Sequence, residues 1–437
     1  MPANRLPRTL RVLLGASFVS SVGGGLTLPF LLIYLHQVRH LPLGISGLLI
    51  GGVAVLALPV GPSAGALVDH FGARAVLLVS LVVEGIGIAA LATVHSTLTA
   101  LPAMFVYGLG QAAGWPTWNA LLGAMIDDDK VSRLAFARNF QLLNLGLGIG
   151  AVVGGLVVHV HAPGTFVAVY LIDGTSNLAV VAALALLPRR AFGPDRRGAT
   201  RSAAGRGSDE TAVGAQAVQR GYRAVLADGL FRRYALTTTV LMLAGYAAVN
   251  TGFVGFATTV VKAGPGIIAA AFAANTAFIV LAQPVALRLV ARVKRTTALK
   301  MVAASFAASW VVLGLAHFVH GSDAARALVI ATPVVFAVGE VLLSPVSGPL
   351  VNDLAPPALR GRYFAASSVC FSLANVVSPA ISGAAIGAGR GVALLGLFVI
   401  CCAAAVVGAH WLGLGLTPAQ DNAVGSRAST ANQAQGT

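Results

Sequence analysis

The sequence predicts an all-α membrane protein with twelve transmembrane helices in two pseudo-symmetric six-helix bundles. Three observations predict it. Apolar residues fall in blocks of about twenty, cations gather on one side of those blocks, and the two halves of the chain repeat. Over its 437 residues the chain is 57% hydrophobic and 10% charged, with a mean hydropathy of +0.84. A soluble chain of this length would need far more charge to wet its surface.

The blocks come first. Residues 75–94 contain one acid, Glu84, and residues 165–187 contain one acid, Asp173. Such runs can cross roughly 30 Å of hydrocarbon as helices and are too long for strands. The predicted spans are 11–36, 45–67, 75–94, 97–126, 138–160, 165–187, 234–260, 264–290, 297–319, 325–350, 363–388 and 391–416. The first begins with basic residues and an apolar stretch, as a signal peptide does. No small-residue cleavage site follows it, so it reads as a helix.

Orientation follows from the cations. With the N-terminus inside, 25 of the 29 Lys and Arg lie in inside segments, leaving Arg39, Lys262, Arg326 and Arg390 outside. That asymmetry sets both termini in the cytoplasm and places the chain in the inner (plasma) membrane. The net charge of +15 then faces anionic lipid headgroups, so membrane lipids are partners and nucleic acid is not.

The longest polar segment, 188–233, divides the chain into bundles at 1–187 and 234–416. Residues 193–214, rich in Arg, Gly, Ala and Ser, read as disordered. Val218, Tyr222, Val225 and Leu226 share a helical face, which predicts an amphipathic surface helix in this linker. The tail at 417–437, small and polar, reads as disordered. The three cysteines, Cys370, Cys401 and Cys402, show no metal spacing and read as packing residues.

The halves repeat at an offset of 229 residues. It pairs Pro116 with Pro345, Leu121 with Leu350, Arg133 with Arg362, and Gly154 with Gly383. Ala137 and Ala151 likewise meet Ala366 and Ala380, although alanine matches mean little in this composition.

Two motifs carry a family resemblance. Residues 65–74, GALVDHFGAR, resemble the major facilitator superfamily signature loop G-x-L-x-D-R-x-G-R-R, with Gly65, Asp69, Gly72 and Arg74 at its positions. His70 and Ala73 depart from its basic residues. Residues 138–155 resemble the span 5 signature of exporters, N-L-G-x-x-x-G-P-x-x-G-G. Arg138 precedes it, Asn144, Gly146, Gly150, Gly154 and Gly155 match it, and Ala151 replaces the proline. The resemblance implies alternating access between two parallel halves around a central site, with these residues in gating and conformational change. Simple close packing of helices is the other reading of the glycines. Residues 104–110 lack the arginine that proton-driven exporters often carry in span 4.

Three acids lie within spans: Glu84, Asp173 and Glu340. A buried acid is costly in hydrocarbon and usually faces a cavity. In the family spans 3 and 6 are peripheral, so Glu84 and Asp173 read as hydrogen-bonding neighbouring helices. Span 10 lines the cavity, which gives Glu340 a role in proton coupling and substrate binding; capping by a neighbour is the alternative. Trp115, Trp118 and Asn119 beside Pro116 read as an aromatic wall for amphipathic ligands, or else as lipid-facing tryptophans. Tyr34, Tyr246, Asn250 and Asn275 are further substrate candidates.

No G-x-x-x-x-G-K-[ST] motif, metal constellation or hydrolase constellation occurs, so no cofactor is expected and a proton gradient is the energy source. The reading is a non-enzymatic secondary transporter, a monomer, exporting drug-like or secondary-metabolite small molecules against protons. A sugar or amino-acid transporter is the alternative, and an integral-membrane lipid-handling protein or enzyme the third reading.

Overall fold

The structure, a computed structural model, describes residues 6–125, 129–187, 223–290, 292–319, 321–356 and 359–422. Twelve long helices follow one another along the described chain. They are α1 (Arg8–Val38), α2 (Leu43–Phe71), α3 (Ala73–Leu91), α4 (Thr97–Ala124), α5 (Asp129–Val157) and α6 (Pro163–Leu186). Then come α7 (Gly229–Thr259), α8 (Pro265–Val290), α9 (Arg295–Phe318), α10 (Asp323–Leu354), α11 (Arg360–Gly387) and α12 (Gly391–Gly413). Eleven of them contain a stretch long and apolar enough to cross a membrane. The twelfth, α4, is 28 residues long, and Gln111, Asn119 and two prolines dilute its apolar character. The expected all-α fold of twelve membrane helices is what the structure shows.

The chain divides into two compact units. The first holds the described residues up to Gly207 together with Ala263–Ala273 and Pro379–Gly387; the second holds the other described residues. In the first unit α1 packs along α5 and α6, and α3 along α4 and α6. The α1–α5 seam is backbone on backbone. A Cβ on Gly150 would overlap the Val22 carbonyl oxygen and lie 2.7 Å from Gly25 Cα. Only glycine permits that approach, and in a membrane such closeness supplies the van der Waals contact that holds helices together. One end of this unit is filled by a cluster that includes Leu10, Leu13, Leu77, Trp118, Leu121 and Leu184.

Two helices are irregular, each with a local cause. In α1, Pro29 cannot donate to the preceding turn, and Leu28–Phe30 tightens to 3-10 geometry before a π segment at Tyr34–Val38. In α7 the helix stops at Leu243 and restarts at Tyr246, followed by a π segment at Val249–Phe253. The break exposes the Ala244 carbonyl, and buried Trp310 of α9 donates its indole N–H to it at 2.7 Å. A buried backbone group is thus satisfied where the ladder is interrupted. Around it, the Phe306 and Phe336 rings stack at 4.1 Å and Trp310 meets Phe398 at 4.8 Å, forming the core of the second unit.

The helix ends are specified locally. Gly72 links α2 to α3 with φ +84°, the left-handed region that glycine tolerates. Asp228 caps α7 by accepting from the backbone N–H groups of Leu230 and Phe231, and it also accepts from the Tyr363 hydroxyl at 2.6 Å.

The tail departs from expectation at its start. Residues 417–422 are ordered: Thr417 and Gln420 form a reciprocal capping box on the short helix α13 (Pro418–Asp421). Asp421 is buried and accepts from the Thr296 N–H and hydroxyl, both at 3.0 Å. Arg295, buried, bridges Asp353 at 2.6 Å and the Gln420 carbonyl at 2.9 Å. These polar partners outweigh the small-residue composition that read as disorder. The rest of the tail and the stretch 193–214 lie outside the described residues, as does most of the linker helix; residues 223–227 are helical.

Candidate functional site

Glu340 sits near the middle of α10. Gly339 precedes it, and a Cβ there would come 2.5 Å from Phe306, so this glycine makes room for the α9 ring. From α8, Asn275 donates its Nδ2 to Glu340 Oε2 at 2.7 Å and to the Pro333 carbonyl at 2.9 Å. Tyr246, at the restart of α7, directs its hydroxyl at the same carboxyl. Its ring is held edge-on to Phe306 and Phe336 at 6.4 and 5.9 Å. Among the described residues the ion pairs are Arg295–Asp353 and Arg326–Asp323, so no lysine or arginine there neutralises Glu340. A carboxyl held by neutral donors can change its charge without breaking an ion pair.

The structure therefore brings Glu340, Asn275 and Tyr246 into one cluster within the second unit. Asn250 stands exposed on the π segment of α7 and makes no hydrogen bond among the described residues.

The candidates of the first unit are placed differently. Trp115 is exposed, and Asn119 donates back to the Trp115 carbonyl at 3.1 Å. Trp118 is buried in the core and donates to Asn139 at 3.1 Å, a packing position. Tyr34 is fully buried; its hydroxyl donates to the Leu91 carbonyl at 2.5 Å and accepts from Arg39 at 2.9 Å.

The signature residues sit as follows. Gly65 and Asp69 lie within α2, their side chains outside the described ones. Gly72 ends that helix, and Arg74 donates to the Ala185 carbonyl at 3.3 Å. Arg138 is exposed, and Asn144 donates to the Phe140 carbonyl at 2.8 Å within α5. Gly146 meets Ser21, Gly154 meets Leu26 and Phe30, and Gly155 meets Ala269 of α8 within the first unit. The α5 glycines thus serve helix packing in this structure.

The two remaining acids differ from one another. Asp173, buried, accepts from Thr27 of α1, so it bonds a neighbouring helix as expected. Glu84 departs from that expectation: its carboxyl has no hydrogen-bond partner among the described residues, and it faces a cavity shared with Asp173, Tyr107 and Gln111. The sequence held a signal for the other polar residues of the cavity, though not for the pairing of the two acids. Asn177 follows Asp173 by four residues and Thr27 follows Ser20 by seven, each pair on one helix face. The 229-residue offset also pairs Gly110 with Gly339 and Gln111 with Glu340, so both halves put a polar side chain at one register.

Comparisons with known proteins agree with this architecture. The family model of the Major Facilitator Superfamily matches residues 13–330. The tetracycline resistance protein, class C, of Escherichia coli is 34% identical over 179 residues, 39% of this chain and 43% of that protein. The uncharacterized MFS-type transporter YqjV of Bacillus subtilis is 23% identical over 411 residues, covering 90% of this chain and 92% of its own. The multi-drug resistance efflux pump PmrA homolog of Lactococcus lactis is 29% identical over 148 residues, 33% of this chain and 36% of its own. A crystal structure of a mutant peptide transporter POT in complex with alafosfalin has a TM-score of 0.73 at 16% identity, covering 93% of each chain. A D-xylose-proton symporter has a TM-score of 0.69 at 12% identity, covering 92% of this chain and 96% of that one. These likenesses to solved structures show the fold. The chain belongs to the Major Facilitator Superfamily and is a multi-pass, non-enzymatic membrane transporter.

Proposed function

We propose that the chain is a proton-coupled exporter of drug-like or secondary-metabolite compounds that works by alternating access, with Glu340 as its coupling group. The observation that carries the coupling role is the setting of Glu340. It is an acid at mid-helix, held by the Asn275 amide and faced by the Tyr246 hydroxyl, with no cation partner among the described residues. Both neighbours are neutral, and both can serve a carboxylate or a carboxylic acid. Proton exchange at this group is therefore compatible with fixed packing, while each change of charge alters what the adjacent space accepts.

Export is supported by the α5 motif and by the names of two relatives, a tetracycline resistance protein and a multi-drug efflux pump homolog. Each matches less than half of its own length, so export is argued from partial likeness. The partly buried Tyr246 ring beside one acid suits amphipathic compounds, organic cations among them. Cytoplasmic termini and contact with anionic lipid headgroups complete the proposal, on the cation asymmetry of the loops, and the protein is proposed to work as a monomer.

Reconstituted protein tests it. An imposed pH gradient should drive substrate flux, and a growth-inhibition panel with and without expression should identify the compound class. Flux indifferent to the gradient would overturn proton coupling.

A further inference from the structure

The first unit holds a second polar site that the coupling mechanism leaves unused. Helices α1, α3, α4 and α6 line a partly open cavity of about 80 Å³. That is room for about five water-sized positions. Its walls grade from polar to apolar. Along α1 the lining runs Ser20, Thr27, Leu28, Leu31, and along α3 it runs Glu84, Ile88, Leu91. The two helices alternate through the membrane with α2 between them and so run in the same direction. One end of the cavity therefore carries carboxyl groups and the other carries hydrocarbon.

The charge at the polar end is unbalanced. Glu84 and Asp173 both line it and interact electrostatically, and no lysine, arginine or histidine lines it with them. Thr27 and Ser176 donate to Asp173, while Glu84 has no donor among the described residues. Two acids alone would not define a site. A second, independent observation does: Tyr170 lines the same cavity, is 1% exposed, and its hydroxyl has no hydrogen-bond partner among the described residues. Buried polar atoms are nearly always satisfied, and each orphan costs about 1–3 kcal/mol. Such an acceptor oxygen beside two carboxyls that no cation balances points to a polar ligand that offers donors.

The shape and chemistry of the cavity select that ligand. A bare alkali ion would want oxygen on all sides and would leave Leu28, Leu31, Ile88 and Leu91 without a purpose. We propose that the cavity binds a protonated primary amine bearing a short alkyl chain. Its ammonium group donates to Glu84, Asp173 and the Tyr170 oxygen, and its alkyl chain packs on the leucines and Ile88. The Tyr107 and Tyr170 rings add attraction for a cation. This inference stands apart from the role of Glu340, whose cluster shares no residue with the cavity.

The test uses the full chain in lipid nanodiscs, titrated with n-propylammonium chloride against sodium chloride at equal ionic strength. Calorimetry should show saturable, single-site binding of propylammonium and a rise in the thermal midpoint that sodium does not reproduce. Glu84→Gln should weaken binding at least about tenfold, the loss of a charge-assisted contact. Its fold should survive, since the Glu84 carboxyl makes no hydrogen bond to lose among the described residues. Tyr170→Phe, which removes only the orphan hydroxyl, should weaken binding by a smaller factor, with the stability of the ligand-free protein no lower than that of the wild type. Glu340→Gln should bind propylammonium as the wild type does, whatever it does to transport. Equal effects of sodium, absence of saturable binding, or affinity unchanged in both Glu84→Gln and Tyr170→Phe would each overturn the proposal. Loss of binding in Glu340→Gln would move the amine to the other cluster and overturn it equally.

Discussion

Asn275 and Glu340 are joined across α8 and α10 by a 2.7 Å hydrogen bond from Nδ2 to Oε2. The same amide donates to the Pro333 carbonyl at 2.9 Å, so both its hydrogens are committed and its orientation is fixed by two acceptors. The acid is thereby positioned by a donor that carries no charge. An arginine at this place would hold Glu340 ionised; an amide leaves either state open.

Removing that donor tests its part in transport. Asn275→Ala should keep the protein in the membrane and slow gradient-driven flux by about tenfold, since one hydrogen bond to a charged group contributes about 1.5–3 kcal/mol. Asn275→Asp should be worse, because it sets a second carboxyl against Glu340. Wild-type flux in both variants, at matched reconstitution, would show the contact to be incidental.

The glycines of α5 rank by what surrounds them. A Cβ at Gly150 meets the Val22 carbonyl and Gly25 Cα, which are backbone and cannot yield. One at Gly154 first meets the edge of the Phe30 ring at 2.7 Å, which can shift. Gly150→Ala should therefore cost more stability than Gly154→Ala, by about 1–3 kcal/mol of overpacking. Thermal unfolding in detergent reads the order, and the reverse order would refute the seam described between α1 and α5. Gly154→Leu is too large for the ring to accommodate and should impair folding or turnover.

What was legible in the sequence divides by kind of signal. Helix number and type were legible, because crossing hydrocarbon demands long apolar helices and leaves no other solution for such runs. Helix ends were less so: α5 starts at Asp129 rather than near 138, since Lys130, Arg133 and Arg138 mark the depth of the membrane, not the end of the helix. Glu340 and its neighbours Asn275 and Tyr246 could be named, because polar residues are rare inside spans. The facing of aromatic residues could not. Trp118 is core and Trp115 is exposed, yet lipid and protein interior are equally apolar, so hydropathy cannot tell the two faces of α4 apart. The pairing of Glu84 with Asp173 was hidden for another reason: nothing in the sequence puts residues so far apart into one cavity.

The docked tail start is a stability feature outside the transport machinery. Asp421 receives two hydrogen bonds from Thr296, and Arg295 is held by both Asp353 and the Gln420 carbonyl. Asp421→Ala leaves the Thr296 N–H and hydroxyl without these acceptors and should lower stability by about 1–3 kcal/mol. Truncation after residue 416 should do at least as much, because it also strips Arg295 of the Gln420 carbonyl. An unchanged thermal midpoint in both would mean that the segment rests on the surface without holding it.

The decisive measurement concerns Glu340 itself. If it takes up a proton in one state and releases it in another, its charge must change during each cycle. Glu340→Gln copies the protonated form in nearly the same shape, so insertion and packing should survive. The Asn275 amide then faces the Gln oxygen, a bond that persists at similar length, and the fold has no reason to shift. Gradient-driven flux should nevertheless collapse, while substrate exchange with no gradient continues. Glu340→Asp should retain part of the activity, since the carboxyl remains but falls one methylene short of the Asn275 donor. A purely structural Glu340 makes the opposite forecast: Gln satisfies the same donor and flux is undiminished. Comparing wild type, Glu340→Gln and Glu340→Asp at equal protein density, with and without a pH gradient, separates the two. Undiminished gradient-driven flux in Glu340→Gln would leave the coupling role to another acid and return Glu340 to packing.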